Sequence, residues 1–277
     1  ETVRSPRVAA AEEVEALMEV KLTILGMLIY ATMGAYLVAF ILSAFGLKRT
    51  GEWVYAAGFA VALGAVVLRG IEVGHVPLKN LFEVFLFLGM LVFPLSVFSR
   101  KVLGVGGWMW DMAVGVAVLL PAGFVFDAGP ARLMPALQSP LFVPHVLCYV
   151  TAYAILAKAA CFATGHAFGY TEPITTDRCR AAHKLVCLGL PLLTFGLVLG
   201  AWWGKLAWGD YWNWDPKEMW SLTAWLIHLG YFHFRAMYGR RYTRVGAAFI
   251  IAGTCANIIT LLWVNFSRLF AGLHSYA

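Results

Sequence analysis

Hydrophobic residues occur along this chain in long runs that are separated by short polar connections. Runs of about 18 or more apolar residues are long enough to cross the hydrocarbon core of a bilayer as helices. The pattern therefore predicts an all-α, polytopic integral membrane protein with about eight transmembrane helices. The predicted spans are Leu22–Phe45, Val54–Leu68, Leu81–Phe98, Met109–Phe126, Leu141–Thr164, Ala182–Trp202, Lys217–Tyr238 and Val245–Phe266.

The chain before the first predicted span has a different character. Residues 1–20 form a polar, partly amphipathic lead in which glutamates alternate with Ala, Val and Leu. This lead lacks the pattern of a signal peptide. We predict that residues 21–277 form a single transmembrane domain.

The composition supports a membrane protein and excludes some functions. Hydrophobic residues make up 61% of the chain and charged residues 13%, whereas about a quarter of the residues of a soluble protein are charged. The five cysteines show no C-x-x-C spacing. The absence of this spacing argues against a thiol oxidoreductase, a zinc site or a cytochrome that carries covalent haem itself.

The basic residues predict the orientation of the helices. With the first helix starting outside, the inner connections hold basic clusters such as Lys48 with Arg49 and Arg100 with Lys101, and the outer connections hold fewer, scattered cations, including Arg69. Positive charge favours the cytoplasmic side. Both termini are therefore predicted on the outer side, and the net charge of +6 needs no nucleic-acid partner to explain it.

The connection between the sixth and seventh predicted helices is rich in tryptophan. Six of the eleven Trp residues of the chain fall within residues 202–222. An interfacial aromatic belt explains one or two Trp at a helix end, but not six. Such a surface suits stacking against an extended planar ligand. A porphyrin fits, and aromatic density alone also fits a quinone.

The end of this segment predicts the start of a helix. Asp215 is a good N-cap, Pro216 suits the first helical position, and Glu218 lies where the second half of a capping box is expected. We interpret the two carboxylates as supports for the tryptophan segment. No residue of the chain is assigned as a catalytic acid or base.

Histidines provide candidate iron ligands. His145 lies near the outer start of the fifth predicted helix and His274 follows the last one, both on the predicted outer side. A single His at a membrane boundary is more often a hydrogen-bonded interfacial residue, but two beside a tryptophan platform favour axial ligation of one haem iron. His228 and His233 lie within the seventh predicted helix, where ionisable residues are costly and usually functional. They are about 140° apart around the helix, so at most one serves a given site.

The tryptophan segment resembles the "WWD" signature of membrane proteins that handle haem in cytochrome c maturation. Within that group the chain is similar to the CcsA (ResC) family of the system II pathway rather than to its CcmC and CcmF relatives. The similarity runs from about residue 22 to the C-terminus. It is carried further by Gly74–Glu83, by Pro135–Ser139 before His145, by His233-Phe234-Arg235 and by the ending Gly272–Tyr276.

This resemblance implies a cytochrome c haem lyase of the bacterial inner (plasma) membrane. It implies that haem b, as a transported ligand, is held by His145 and His274 on the outer face and by His233 within the membrane, paired there with a CcsB (ResB) partner. The client is an apocytochrome c with a C-x-x-C-H motif. The WWD residues expected to present the haem are Trp208, Trp212, Trp214, Asp215 and Trp220.

Other functions use the same features. A haem exporter or chaperone without lyase activity needs the same sites, and loading of an apocytochrome distinguishes it. A membrane haem electron-transfer subunit usually pairs histidines on facing helices within the bilayer, whereas the stronger pair here is predicted outside. If the chain were a generic transporter, the tryptophan cluster and the intramembrane histidines would each need a separate explanation.

Overall fold

The computed structural model describes residues 20–130, 132–169, 178–239, 241 and 243–263, apart from the side chain of residue 263. Every regular element in these ranges is helical. A short 3₁₀ turn at Pro135–Leu137 precedes the fifth helix, and a π-helical turn at Ile259–Trp263 follows the eighth. The helices are α1 (Ile24–Ala44), α2 (Lys48–Val73), α3 (Leu81–Lys101), α4 (Trp108–Phe124), α5 (Phe142–Ala167), α6 (Arg178–Trp208), α7 (Pro216–Tyr238) and α8 (Thr243–Ile258).

The all-helical membrane fold predicted from the sequence is confirmed. Over the described ranges, six helices are long and apolar enough to cross a membrane, namely all except α4 and α7. Helix α4 is apolar but has only 17 residues. Helix α7 has 23 residues, and its Lys217, Glu218, His228, His233 and Arg235 make it more polar than the others.

Two helices extend well beyond their predicted limits. Helix α2 has 26 residues and includes Arg69, which the sequence placed in a connection. Helix α6 has 31 residues and continues to Trp208, so only residues 209–215 connect it to α7. Hydropathy alone missed these helical ends because polar and aromatic residues continue the helices beyond the apolar runs.

The chain divides into two compact units. The first contains residues 20–94 and 107–130 of the described chain with Arg132, and the second contains residues 95–106 and the described residues from Leu133 onward. In the first unit, the ring of Tyr36 is fully buried and its hydroxyl donates to the Gly89 carbonyl at 3.1 Å. Gly58 and Gly115 lie against this ring so closely that a Cβ on either would be within 2.8 Å of it. Small residues thus let these helices pack closely, as is common in membranes.

A buried ion pair stabilises one end of the first unit. Arg69 and Glu83 are each 1% exposed, and the Arg69 Nη2 atom lies 3.0 Å from Glu83 Oε1. Arg69 also donates to the carbonyl oxygens of Ala128 and Gly129 at 2.7 and 3.1 Å. The charge is therefore removed from lipid with its hydrogen bonds satisfied, which is what makes a buried ion pair tolerable.

The second unit contains α5, α6, α7 and α8. Helix α5 packs against α6 and α8, and α7 packs against α8. The core is formed by aliphatic residues such as Leu156, Val186 and Leu193. We call the end where α6 finishes and α7 begins the tryptophan end, and the end where α6 and α8 begin the basic end. The treatment of residues 21–277 as one domain stays a prediction.

Candidate functional site

The start of α7 holds the connection at the tryptophan end in place. The Asp215 carboxylate accepts a hydrogen bond from the Lys217 backbone N–H at 2.9 Å. Glu218 accepts from the backbone N–H groups of Asp215 at 3.1 Å and Asn213 at 2.8 Å. The capping box predicted from the sequence is confirmed, with Pro216 in the first turn. One carboxylate thus orders both the helix start and the preceding connection.

Residues 212–214 have unusual conformations and surroundings. Trp214 has φ of 57° and is 68% exposed, although bulky residues rarely adopt positive φ. Trp212 meets it edge to face, with ring centroids 6.1 Å apart. The indole nitrogen of Trp212 and the amide nitrogen of Asn213 are buried without a hydrogen-bond partner among the described residues. Strained backbone and unsatisfied buried donors are features that cluster at ligand sites.

Trp203 is an anchor that the sequence analysis missed. It is 2% exposed and its indole N–H donates to the carbonyl of Ala136, in the 3₁₀ turn, at 2.8 Å. Trp208 packs edge-on against it at 4.8 Å between centroids. The neighbouring Trp202 is 54% exposed. Sequence alone gives no signal that separates two adjacent Trp residues, because the difference depends on the packing of the 3₁₀ turn.

The imidazole of His145 is fixed next to this anchor. Its ring lies 5.6 Å from the Trp203 ring with 32° between the planes, and 5.0 Å from the Tyr149 ring. Its Nδ1 atom lies 2.8 Å from the carbonyl oxygen of Gly196. A carbonyl can only accept, so Nδ1 carries the proton and the neutral ring has its lone pair on Nε2. Histidines that ligate metals usually have this arrangement.

Helix α6 has no side chain where the His145 ring lies. A Cβ at Gly200 would lie 2.5 Å from His145 Cε1 and 2.8 Å from its Nδ1. Glycine is therefore required at this position for the ring to keep its place. The structure thus brings His145 together with Trp203, and Trp203 with Trp208.

The two histidines of α7 have different surroundings. His233 is exposed, and its Nδ1 lies 3.0 Å from the carbonyl oxygen of Leu229 on the same helix. His228 is fully buried, its ring packs against Gly253 of α8, and its Nε2 has no hydrogen-bond partner among the described residues. The other predicted axial ligand, His274, lies outside the described residues.

Comparisons with known proteins confirm the family resemblance. The curated CcsA cytochrome c biogenesis protein of Synechococcus sp. (strain JA-3-3Ab) is 27% identical, over 75% of this chain and 79% of its own. The CcsA protein of Ranunculus macranthus is 28% identical, over 83% of this chain and 87% of its own.

A solved structure shares the fold. The cytochrome c haem lyase CcmF matches with a TM-score of 0.65 at 17% identity, over 94% of this chain and 47% of that chain. At this identity the match shows the fold alone. A family model described as cytochrome c assembly protein matches residues 12–272. The chain therefore belongs to the cytochrome c assembly protein family, and it is a membrane protein of cytochrome c maturation.

Proposed function

We propose that this chain is the membrane subunit of a cytochrome c synthase, which brings haem b to the outer face of the bacterial inner membrane and presents it for attachment to apocytochrome c. The observation that carries the proposal is the placement of His145. An Nδ1–H held by the Gly196 carbonyl, which leaves the lone pair of the neutral ring on Nε2, and the adjacent Trp203 ring support an axial ligand beside an aromatic surface.

In this proposal His145 and His274 ligate the haem iron from opposite faces, with both termini on the outer side. Trp208, Trp212, Trp214 and Trp220 provide flat surfaces against which the macrocycle stacks. Asp215, together with Glu218, orders the segment rather than exchanging protons. Two axial imidazoles would also contribute to setting the iron potential.

Attachment then requires positioning more than acid–base catalysis. The two thiols of the C-x-x-C-H segment add across the two haem vinyl groups. Each S–H and C=C bond is consumed while a C–S and a C–H bond form, with no net oxidation. The histidine of the same segment displaces one axial ligand of the synthase and takes the product away. Holding both reactants in register is worth many orders of magnitude in rate.

His233 is proposed to bind haem within the membrane on the way outward. Its exposure on the surface of α7 suits a site that is completed by a histidine from a CcsB-type partner. His228 does not suit this role because it is enclosed against Gly253.

The test is the absorption spectrum of the reduced protein, purified in detergent with its partner. Spectra are compared for wild type, His145→Ala, His274→Ala and His233→Ala, with His183→Gln at the basic end as a matched control. We expect the two outer-face variants to lose the bis-imidazole spectrum and to regain it with added imidazole. An unchanged spectrum in all three alanine variants refutes the haem platform.

Synthesis is separated from export by supplying a C-x-x-C-H apocytochrome. A synthase yields a product whose haem stays attached after denaturation. An exporter or chaperone delivers haem that denaturation removes, with the same axial ligands required. The spectrum therefore tests the site, and the covalent product tests the lyase activity.

A further inference from the structure

A cleft opens at the basic end of the second unit. Its volume is about 360 Å³ counted to its open mouth, and residues of α5, α6, α7 and α8 all line it. Small lining residues, including Ala163 and Gly246, make room for the cleft between the helices. The cleft is small and open on one side, so it holds a headgroup or a side arm rather than a whole macrocycle.

The polar side chain best placed to bind a ligand in this cleft is that of Arg235. Its Nη1 atom donates long hydrogen bonds to the Tyr231 hydroxyl at 3.4 Å and to the Cys179 sulfur at 3.8 Å, and neither acceptor is a carboxylate. The acids that the structure describes in this unit lie at the tryptophan end, at Asp210, Asp215 and Glu218. No described carboxylate of the unit therefore pairs with Arg235. Five donors in a fixed fork match the oxygens of a carboxylate or a phosphate.

Two more features of the lining favour an anion. His166 lines the cleft, and its Nε2 is buried without a hydrogen-bond partner among the described residues. Helices α6 and α8 both begin here, and Cys179 and Thr243 from their first turns line the cleft. The backbone N–H groups at the start of a helix attract negative charge.

We infer that this cleft binds an oxyanion carried by an amphiphilic molecule, with Arg235 as its main ligand and His166 as a second donor. Two molecules at this end of the unit carry such a group, a membrane phospholipid through its phosphate and haem through its propionates. The apolar body of either molecule remains outside the cleft, against the helices. The inference stands without the proposed haem platform, because it concerns the other end of the unit and is met in full by a lipid.

The experiment uses the full chain with its partner, purified in detergent, as wild type, Arg235→Gln, Arg235→Lys and Arg244→Gln. Arg244 is the matched control because it is exposed in the first turn of α8 and does not line the cleft. Retention of phosphatidylglycerol against phosphatidylcholine is measured by native mass spectrometry. Binding of haem is measured against haem dimethyl ester, in which the propionates carry no charge.

For a phospholipid site, Arg235→Gln reduces phosphatidylglycerol retention about tenfold or more, as expected for a lost charged hydrogen bond, and Arg244→Gln leaves it unchanged. For a propionate site, Arg235→Gln and esterification each weaken haem binding, and the two losses do not add. Arg235→Lys, which keeps the charge, retains part of the binding in either case and shows that the variants fold. Equal behaviour of Arg235→Gln and Arg244→Gln with both ligand pairs overturns the inference.

Discussion

A methyl group at Gly200 should displace the proposed haem ligand without altering its chemistry. In Gly200→Ala the new Cβ would lie 2.5 Å from His145 Cε1, whereas carbon atoms in contact normally stay about 3.5–4.0 Å apart. The ring must therefore move by about 1 Å or more. The Nδ1–H of His145 donates to the carbonyl of Gly196, which lies on α6 together with Gly200. Moving the ring away from Gly200 therefore also breaks this hydrogen bond.

The size of the effect follows from these two losses. A hydrogen bond of this kind contributes about 0.5–1.5 kcal/mol, and a side chain forced away from its preferred rotamer costs about 0.5–1.5 kcal/mol. Together they predict a loss of about 1–3 kcal/mol in haem binding, roughly five- to 150-fold in affinity. The chain otherwise keeps every proposed ligand.

The assay is a titration of the purified protein with ferrous haem, followed by its absorption spectrum. Gly189→Ala is the matched control, because its Cβ would lie 2.7 Å from Leu156 on the same pair of helices and far from the imidazole. We expect weak haem binding in Gly200→Ala, partly restored by added imidazole, and near-normal binding in Gly189→Ala. Equal losses in the two variants would show that helix packing, and not the position of His145, controls haem binding.

Other changes test the supports of the two units. Glu218→Ala removes the acceptor for two backbone N–H groups and should lower stability by about 1–2 kcal/mol, seen as an earlier thermal transition together with reduced haem occupancy. Trp203→Phe removes the hydrogen bond from a buried indole to the partly buried Ala136 carbonyl and should cost about 1–2 kcal/mol; the same change at exposed Trp202 should leave the thermal transition within error. Glu83→Gln removes the nearer and buried carboxylate partner of Arg69 and leaves only Glu72, at 3.8 Å and partly exposed. It should cost up to about 3–5 kcal/mol, measured as loss of folded protein from detergent extracts; normal yield would contradict the role of this ion pair.

The features that the sequence predicted well depend on local spacing. The eight helices of the described ranges follow from the hydrophobic runs, and the capping box at Asp215 and Glu218 follows from residues three apart. Such interactions lie within one helical turn, so the order of residues is enough to predict them. The positions of His145 and His274 beside the tryptophan segment suggested them as ligands, and the family resemblance added the choice of His233; all three remain proposals.

The features that the sequence missed depend on contacts between distant segments. Arg69 was placed in a connection, yet it lies on α2 and bonds to carbonyls 59 and 60 residues away. Trp203 is buried because the 3₁₀ turn, 67 residues earlier, accepts its N–H. The need for glycine at position 200 arises only because α5 brings a histidine there. None of these contacts can be predicted from the spacing of residues that are close in sequence.

The two histidines of α7 provide a comparison within one helix. His233 is exposed and has only a backbone contact on its own helix, so His233→Ala should change stability by less than about 0.5 kcal/mol. His228 is fully buried against Gly253, so His228→Ala leaves a cavity and should cost about 2 kcal/mol or more.

Haem occupancy of the complex with the proposed CcsB-type partner, measured beside the thermal transition, separates the two roles. If His233 is the intramembrane ligand, its loss removes haem from a protein that melts at the normal temperature. The loss of His228 instead lowers the melting temperature, and haem occupancy of that variant falls only as far as folded protein is lost. The reverse result, normal haem binding without His233 and haem loss from stable protein without His228, would assign the membrane site to the buried histidine. The site would then be enclosed within this chain rather than completed by a partner.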